Sequence, residues 1–211
     1  MDAHRRRFQQ QALAASLAWL VGGTLQHAHA LSLSSLSEQE VGKGLKAALE
    51  QGAKAAVSLL GQPGGFLDNP KVRIDLPEQL AQAAVPMGRN LLVKAVQTMT
   101  VQDAKQILTG GDNAVTQFFA DKTREPLGAS FRPVVEKAVG QVKLAKAYNR
   151  VASQASGFGL IKQEDASVER YVTGKTLDGL YTIIGEEERK IRQDPVSAGS
   201  KLIEKVFGAV R

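Results

Sequence analysis

The chain has 211 residues, a formal net charge of +6, no Cys, three His and one Trp. His4, His27, His29 and Trp19 all lie in the first 30 residues, which we expect to be removed. The remaining chain then excludes Ser-His-Asp and Cys-His catalysis, disulfides, and ordinary zinc and haem sites. We therefore expect no metal site and no cofactor.

The first 30 residues have the three-part layout of a secretory signal peptide. Arg5 to Arg7 precede an apolar run at 12–25, and Ala28 and Ala30 suit a peptidase that accepts only small side chains. The apolar run is too short and too interrupted by glycine to span a bilayer stably. We expect cleavage near Ala30, which leaves one domain at 31–211, periplasmic or secreted and not integral to the membrane. The alternative is a buried first helix of the folded domain.

The sequence leaves the export route open. Arg5-Arg6-Arg7-Phe8 resembles the R-R-x-F core of twin-arginine signals, and the apolar run is rich in alanine, as such signals tend to be. Gln9 and Gln10 depart from the usual continuation, and general secretion signals also begin with basic residues. Both export routes are compatible with this N-terminus.

The charge of the predicted mature chain is mildly basic. Removal of three Arg and one Asp with the signal lowers the net charge from +6 to +4. This is not the signature of a nucleic-acid-binding protein, so no nucleic-acid partner is expected.

Hydrophobic residues recur at helical spacing along the rest of the chain, which predicts an all-α, single-domain multi-helix bundle. Ser37 to Glu40 form a capping-box pattern that begins a helix ending near Leu60. A turn-rich segment follows it. Hydrophobic and charged residues then alternate between Pro70 and Pro77, which predicts an extended strap at 71–76 and no true sheet.

The second half of the chain continues with helices. Pro86 is expected to interrupt the helix that begins at Pro77, and a new capped helix is expected to start at Thr100–Asp103. Asp112 can cap the next one. The later helices are predicted at Glu125 to Val142, Lys143 to Ala155, Ser167 to Arg192, and Pro195 to Phe207. Six aromatic residues occupy core-like positions and are expected to fill the bundle: Phe118, Phe119, Phe131, Phe158, Tyr171 and Tyr181.

Four stretches closely resemble the family called domain of unknown function 4197: Gly61 to Pro77, Met99 to Asp112, Gly157 to Leu160, and Glu186 to Pro195. The resemblance covers nearly the whole chain after the signal and implies a helical exported protein of uncharacterised role. Family members carry an additional helical pair between the segments that match Leu76 to Leu80 and Ala83 to Pro86. These segments nearly abut here, so this chain is expected to bind differently or less well if that pair covers a groove or supplies a partner surface.

The turn at Thr109-Gly110-Gly111-Asp112 is one candidate binding site. Exposed backbone N–H groups of Gly110 and Gly111 could form an anion-binding nest, although Asp112 would repel an anion. The simpler interpretation is a tight turn between two helices.

Charged side chains give two more candidates. Lys143, Lys146 and Arg150 form a basic stripe at i, i+3 and i+7 that could meet an anionic lipid or envelope polymer; a solvated face is the alternative. The Glu186–Glu188 run could serve a cation or acid/base chemistry. A solvated helix face is favoured for that run, with i,i+4 pairs from Glu186 to Lys190 and from Glu188 to Arg192.

Two classes of function remain. The favoured one is a non-enzymatic cell-envelope module that binds an unknown envelope protein or an apolar or anionic envelope ligand. The alternative is a carboxylate-dependent hydrolase of cell-wall glycan, which should place two carboxyl groups in one cleft. A binding module should instead present an apolar groove or patch.

Overall fold

The structure is a computed structural model that describes residues 32–74, 78–139, 143–162 and 166–210. The predicted signal peptide lies outside these residues. The described chain forms seven α-helices and no strand: α1 Glu38–Leu60, α2 Glu78–Thr98, α3 Ala104–Leu108, α4 Ala114–Val139, α5 Lys143–Gly157, α6 Val168–Gln193 and α7 Lys201–Gly208. Two short 3₁₀ helices, Leu33–Ser35 and Val196–Ala198, accompany them. The predicted all-α architecture is confirmed.

Serine side chains begin three of the helices. At α1, the amide of Glu40 donates to Ser37 Oγ at 3.2 Å, and the amide of Ser37 donates to a Glu40 carboxylate oxygen at 3.0 Å. Both halves of the predicted capping box are therefore present. Ser167 and Ser200 accept from the amides at the starts of α6 and α7 in the same way.

Pro86 does not interrupt its helix, although the sequence predicted a break there. α2 continues through Pro86, and α4 continues through Pro126 and Pro133. All three prolines are exposed. A proline on the solvent side of a helix leaves the carbonyl that it cannot pair with accessible to water, so the helix can continue.

α1 and α6 form the centre of the bundle. α1 packs against α6, α2, α7 and α3, and α4 packs against α6 and α2. The largest fully buried side chains come from several elements and include Phe66, Phe119, Phe131, Phe207, Leu45 and Ile184. Phe119, Phe131 and Tyr181 fill the core as predicted, but Phe158 is 81% exposed, so its predicted core position is wrong.

The predicted strap is described as far as Ile74. Residues 71–74 form neither helix nor strand and bury Val72 and Ile74 against the bundle. The amide of Val72 donates to the carbonyl of Asn69, which gives this segment a turn at its start. No helix in the described part of the chain is both long enough and apolar enough to cross a membrane.

Candidate ligand-binding groove

Gly110 and Gly111 lie in the exposed turn between α3 and α4. The amide of Gly110 donates to the carbonyl of Ile107 at 3.1 Å, and the carbonyl of Gly111 accepts from the amide of Ala114 at 3.0 Å. A Cβ at position 110 would lie 2.5 Å from Ala114 Cβ. This close approach between successive helices accounts for glycine at position 110 without a ligand.

The predicted basic stripe lies on α5. Arg150 is exposed. The backbones of Lys143 and Lys146 belong to the same helix, while their side chains lie outside the described residues. The stripe and the Gly110-Gly111 turn are on different elements.

The Glu186–Glu188 run is not a uniformly solvated face, because Glu188 is only 4% exposed. Its carboxylate accepts from the amides of Val115 and Thr116 at 3.1 and 2.7 Å, from the Thr116 hydroxyl at 2.7 Å, and from Arg192 Nε at 2.9 Å. The predicted pair with Arg192 is present. Lys190 pairs with Glu187, and Glu186 pairs with Lys71.

Glu188 also caps the N-terminus of α4, a role that the sequence predicted for Asp112. α4 begins at Ala114, and its first amides at Val115 and Thr116 point to the Glu188 carboxylate. A carboxylate at a helix N-terminus satisfies free N–H groups and the helix dipole together. These hydrogen bonds and the ion pair with Arg192 leave the buried carboxylate without an open site for a substrate, so its role is structural.

A groove of about 750 Å³ separates the second half of α2 from the middle of α4, and the 99–103 segment closes one end. Ligand pockets in proteins commonly have volumes of several hundred Å³. Apolar side chains from both helices and from the closing segment line it: Leu91, Ala95, Met99, Phe118, Pro126 and Leu127. Leu91, Ala95 and Phe118 are half-buried, so they contact the core and still face the groove.

Three hydroxyl groups in the lining of the groove form hydrogen bonds within the protein. Thr98 Oγ1 donates to the carbonyl of Lys94 at 2.9 Å, and Ser130 Oγ donates to the carbonyl of Pro126 at 2.9 Å. Thr123 Oγ1 is bonded to the carbonyl of Phe119 and to Tyr181 Oη, at 2.6 and 2.9 Å. Burial is the main reason that the pKa of Tyr181 is raised, so this phenol stays protonated at neutral pH.

Two ammonium groups line opposite walls of the groove. Lys94 is on α2 and Lys122 is on α4, and both are exposed. Lys122 Nζ lies 5.9 Å from the centroid of the Phe118 ring. Neither lysine forms an ion pair with another described residue. The lining therefore carries two positive charges and one negative charge, that of Asp103.

Asp103 has a strained backbone where the groove is closed. Its φ angle is +55°, which makes it the one non-glycine residue with positive φ among the described residues. Its side chain makes no capping hydrogen bond to α3, although it occupies the N-cap position. The predicted side-chain cap is therefore absent. Such conformations cost about 1 to 3 kcal/mol and cluster at functional sites.

A second, more polar cleft of about 410 Å³ lies between α4 and α6. Asp121 and Asp178 both line it, and both are exposed. Asp178 is paired with Arg124, and Asp121 accepts from Gln117 Nε2 at 2.8 Å. Both aspartates are therefore exposed and bonded to a neighbouring side chain, whereas a glycosidase general acid lies in a buried pocket.

Sequence signals for the groove were weak. Leu91, Ala95 and Phe118 follow the same apolar spacing as neighbouring core residues, so periodicity alone does not distinguish a groove wall from the core. Met99 and Asp103 fall within a stretch that resembles the family, and this was the one sequence signal near the site.

Comparison with family models gives a match over residues 35–85 and 78–208 to the family described as "Protein of unknown function (DUF4197)". The two matched ranges overlap at 78–85, close to the place where the resemblance implied a shortened segment. No curated protein and no solved structure matches the chain. Because the matched residues include all seven described helices, the chain belongs to the DUF4197 family.

Proposed function

We propose that the protein is a non-enzymatic cell-envelope binding module whose α2–α4 groove holds an amphiphile with an apolar chain and one anionic headgroup. Its place of action would be the periplasm or cell exterior, after cleavage near Ala30. The observation that carries the proposal is an apolar lining together with two lysines on opposite walls that form no ion pair with another described residue.

The chemistry of the groove favours this class of ligand over a sugar. Three of the hydroxyls in its lining are hydrogen-bonded within the protein, which leaves them less able to bind a sugar. Sugar sites instead supply many polar partners and aromatic stacking, and Phe118 is the only aromatic residue in this lining. Lys94 and Lys122 attract an anionic headgroup at the solvent-facing edge.

The first test compares laurate with its uncharged counterpart, lauryl alcohol, by isothermal titration calorimetry. We expect both to bind the chain, and laurate to bind more tightly. Lys94→Gln combined with Lys122→Gln should weaken laurate binding roughly three- to tenfold, with little change for the alcohol, because exposed charge pairs contribute modestly.

The matched control is Lys43→Gln combined with Lys201→Gln, since both lysines are exposed and outside the groove. A third variant, Ala95→Trp, fills the groove and should abolish binding of both ligands while the circular dichroism spectrum stays helical. The groove would be refuted as the site if the control pair lost as much laurate affinity as the Lys94→Gln and Lys122→Gln pair. Unchanged binding of both ligands to Ala95→Trp would refute it too.

A further inference from the structure

α5 ends in a turn with defined main-chain hydrogen bonds. The amide of Gly159 donates to the carbonyl of Ser156, and the amide of Leu160 donates to the carbonyl of Ala155, both at 2.9 Å. Gly159 has φ +72°. These features define a Schellman motif, which ends a helix with its backbone in one defined conformation.

This turn presents large apolar side chains to solvent. Phe158 is 81% exposed, Leu160 is 77% exposed, and Val151 in the same helix is 67% exposed. Phe158 directly follows the last residue of α5, its amide donates to the carbonyl of Gln154, and it lies about two helical turns after Val151. Isolated exposed apolar residues are ordinary, whereas three on one short segment indicate an interaction surface.

The same segment concentrates positive charge. Residues 143–162 contain Lys143, Lys146, Arg150 and Lys162 and no Asp or Glu. Their four charges equal the whole net charge of +4 that remains after residues 1–30 are removed, so the rest of that chain is balanced. The net positive charge of the chain after residue 30 therefore equals that of residues 143–162, the segment that also exposes Val151, Phe158 and Leu160.

We propose that α5 and its terminal turn form a docking surface for an anionic lipid bilayer. Phe158 and Leu160 enter the interface between headgroups and acyl chains, and the basic residues of α5 contact the lipid phosphates. An aromatic and aliphatic tip beside basic residues is the combination that binds peripheral proteins to such membranes. A second copy of the chain fits this surface poorly, because two segments that each carry four positive charges repel one another.

The absence of Trp after residue 19 makes a direct experiment possible. The chain that begins at Leu31, the mature form expected after cleavage near Ala30, contains every residue that the structure describes. Phe158→Trp then gives that chain a single indole at the tip of the surface. We expect its emission to shift to shorter wavelength with vesicles of equal parts phosphatidylglycerol and phosphatidylcholine, and much less with phosphatidylcholine alone.

The control is Val196→Trp, which places the indole at another exposed apolar position, 66% exposed and distant in sequence. Its emission should not change with either vesicle. In the unlabelled chain, Phe158→Ser and Leu160→Ser should each weaken vesicle binding roughly tenfold, measured by co-sedimentation. Substitution of Lys143, Lys146 and Arg150 by Gln should weaken vesicle binding roughly fivefold per charge removed. Added salt should also weaken vesicle binding.

Three results would overturn the proposal. One is unchanged indole emission of the Phe158→Trp chain with the anionic vesicles. Another is an equal shift with both vesicle types in both indole-bearing variants, which would indicate non-specific adsorption. The third is a shift without vesicles that grows with protein concentration, which would assign the surface to a second copy. Groove variants such as Ala95→Trp should leave vesicle binding unchanged, which separates this proposal from that for the groove.

Discussion

Glu188 connects elements that are far apart in the sequence. Its carboxylate receives the first amides of α4, while Arg192 donates from the next turn of α6 and also donates to the carbonyl of Leu108 at the end of α3. The guanidinium of Arg192 lies 5.5 Å from the ring centroid of Phe207 in α7. One buried ion pair thus fixes the relative positions of four helices.

Glu188→Gln should lower the free energy of unfolding by about 3 kcal/mol, because it leaves Arg192 buried without its counter-ion and turns an amide NH₂ toward backbone donors. Urea denaturation followed by circular dichroism measures the change. Glu187→Gln is the control. It removes only the contact with Lys190, whose side chain is 69% exposed, and should change stability by less than about 0.5 kcal/mol. Equal effects of the two variants would contradict the structural role of Glu188.

Glu40 should contribute to the pH dependence of stability. The hydrogen bond from Lys205, followed by those from the Ser37 amide and hydroxyl, lowers the pKa of Glu40 from 4.5 to about 2. A carboxyl group with a lower pKa in the folded state stabilises the fold above its unfolded pKa, and this stability is lost as pH falls through the folded pKa. Thermal unfolding between pH 6 and about pH 2 should therefore show a smaller loss of stability for Glu40→Gln than for the unchanged chain. Parallel curves for the two proteins would contradict this expectation, and high salt should bring the curves together.

At the scale of the helices, the features that depend only on neighbouring residues were predicted correctly from the sequence. The capping box at Ser37 and the α5 and α6 ranges need only neighbouring residues, and they agree with the structure to within about two residues. The continuation of α2 through Pro86 was not predicted, because whether a proline breaks a helix depends on which side of the helix faces solvent. The capping of α4 by Glu188 was not predictable, since it joins residues more than 70 positions apart.

Helix packing depends on glycine where α2 meets α4. A Cβ at Gly88 would overlap the ring of Phe131, which is fully buried. Gly88→Ala should therefore lower the free energy of unfolding by about 2 kcal/mol through overpacking. Gly174→Ala is the matched helix-interior control, because nothing lies within 4 Å of its added Cβ. It should raise the free energy of unfolding by about 0.5 kcal/mol, since Ala favours the helix more than Gly does. Chemical denaturation of both variants tests the contrast, and destabilisation by Gly174→Ala would contradict it.

At the scale of the whole molecule, the α2–α4 groove and the docking surface of α5 with its terminal turn differ in how far the sequence could predict them. The groove needs α2 and α4 to pack side by side, so no local pattern could have predicted it. The docking surface was partly predictable, because Lys143, Lys146 and Arg150 form a basic stripe that can be recognised in the sequence. The exposure of Phe158 was not, since an aromatic residue at helical spacing ordinarily indicates a core position.

Stability should be unevenly distributed over the molecule, with α5 opening before the bundle. Among the described α5 side chains only Ala152 is buried, whereas α1 and α6 form the centre of the core. α5 is tied to α6 by Asn149, whose Oδ1 accepts from the amide of Val168 at 2.8 Å and whose Nδ2 donates to Glu169 at 2.9 Å. Segments with few buried apolar contacts open at lower free energy than the core.

Asn149→Ala should therefore raise hydrogen exchange of the α5 amides roughly fivefold, because a lost capping contact costs about 1 kcal/mol. Exchange at the centres of α1 and α6 should stay unchanged when measured by hydrogen–deuterium exchange mass spectrometry. Gln154→Ala, an exposed change on the same helix, controls for altered helix propensity. The prediction is wrong if α5 exchanges as slowly as α1 and α6 in the unchanged chain, in Asn149→Ala and in Gln154→Ala. In that case α5 is part of the cooperative core, and contacts other than those of Asn149 and Ala152 hold its exposed apolar turn.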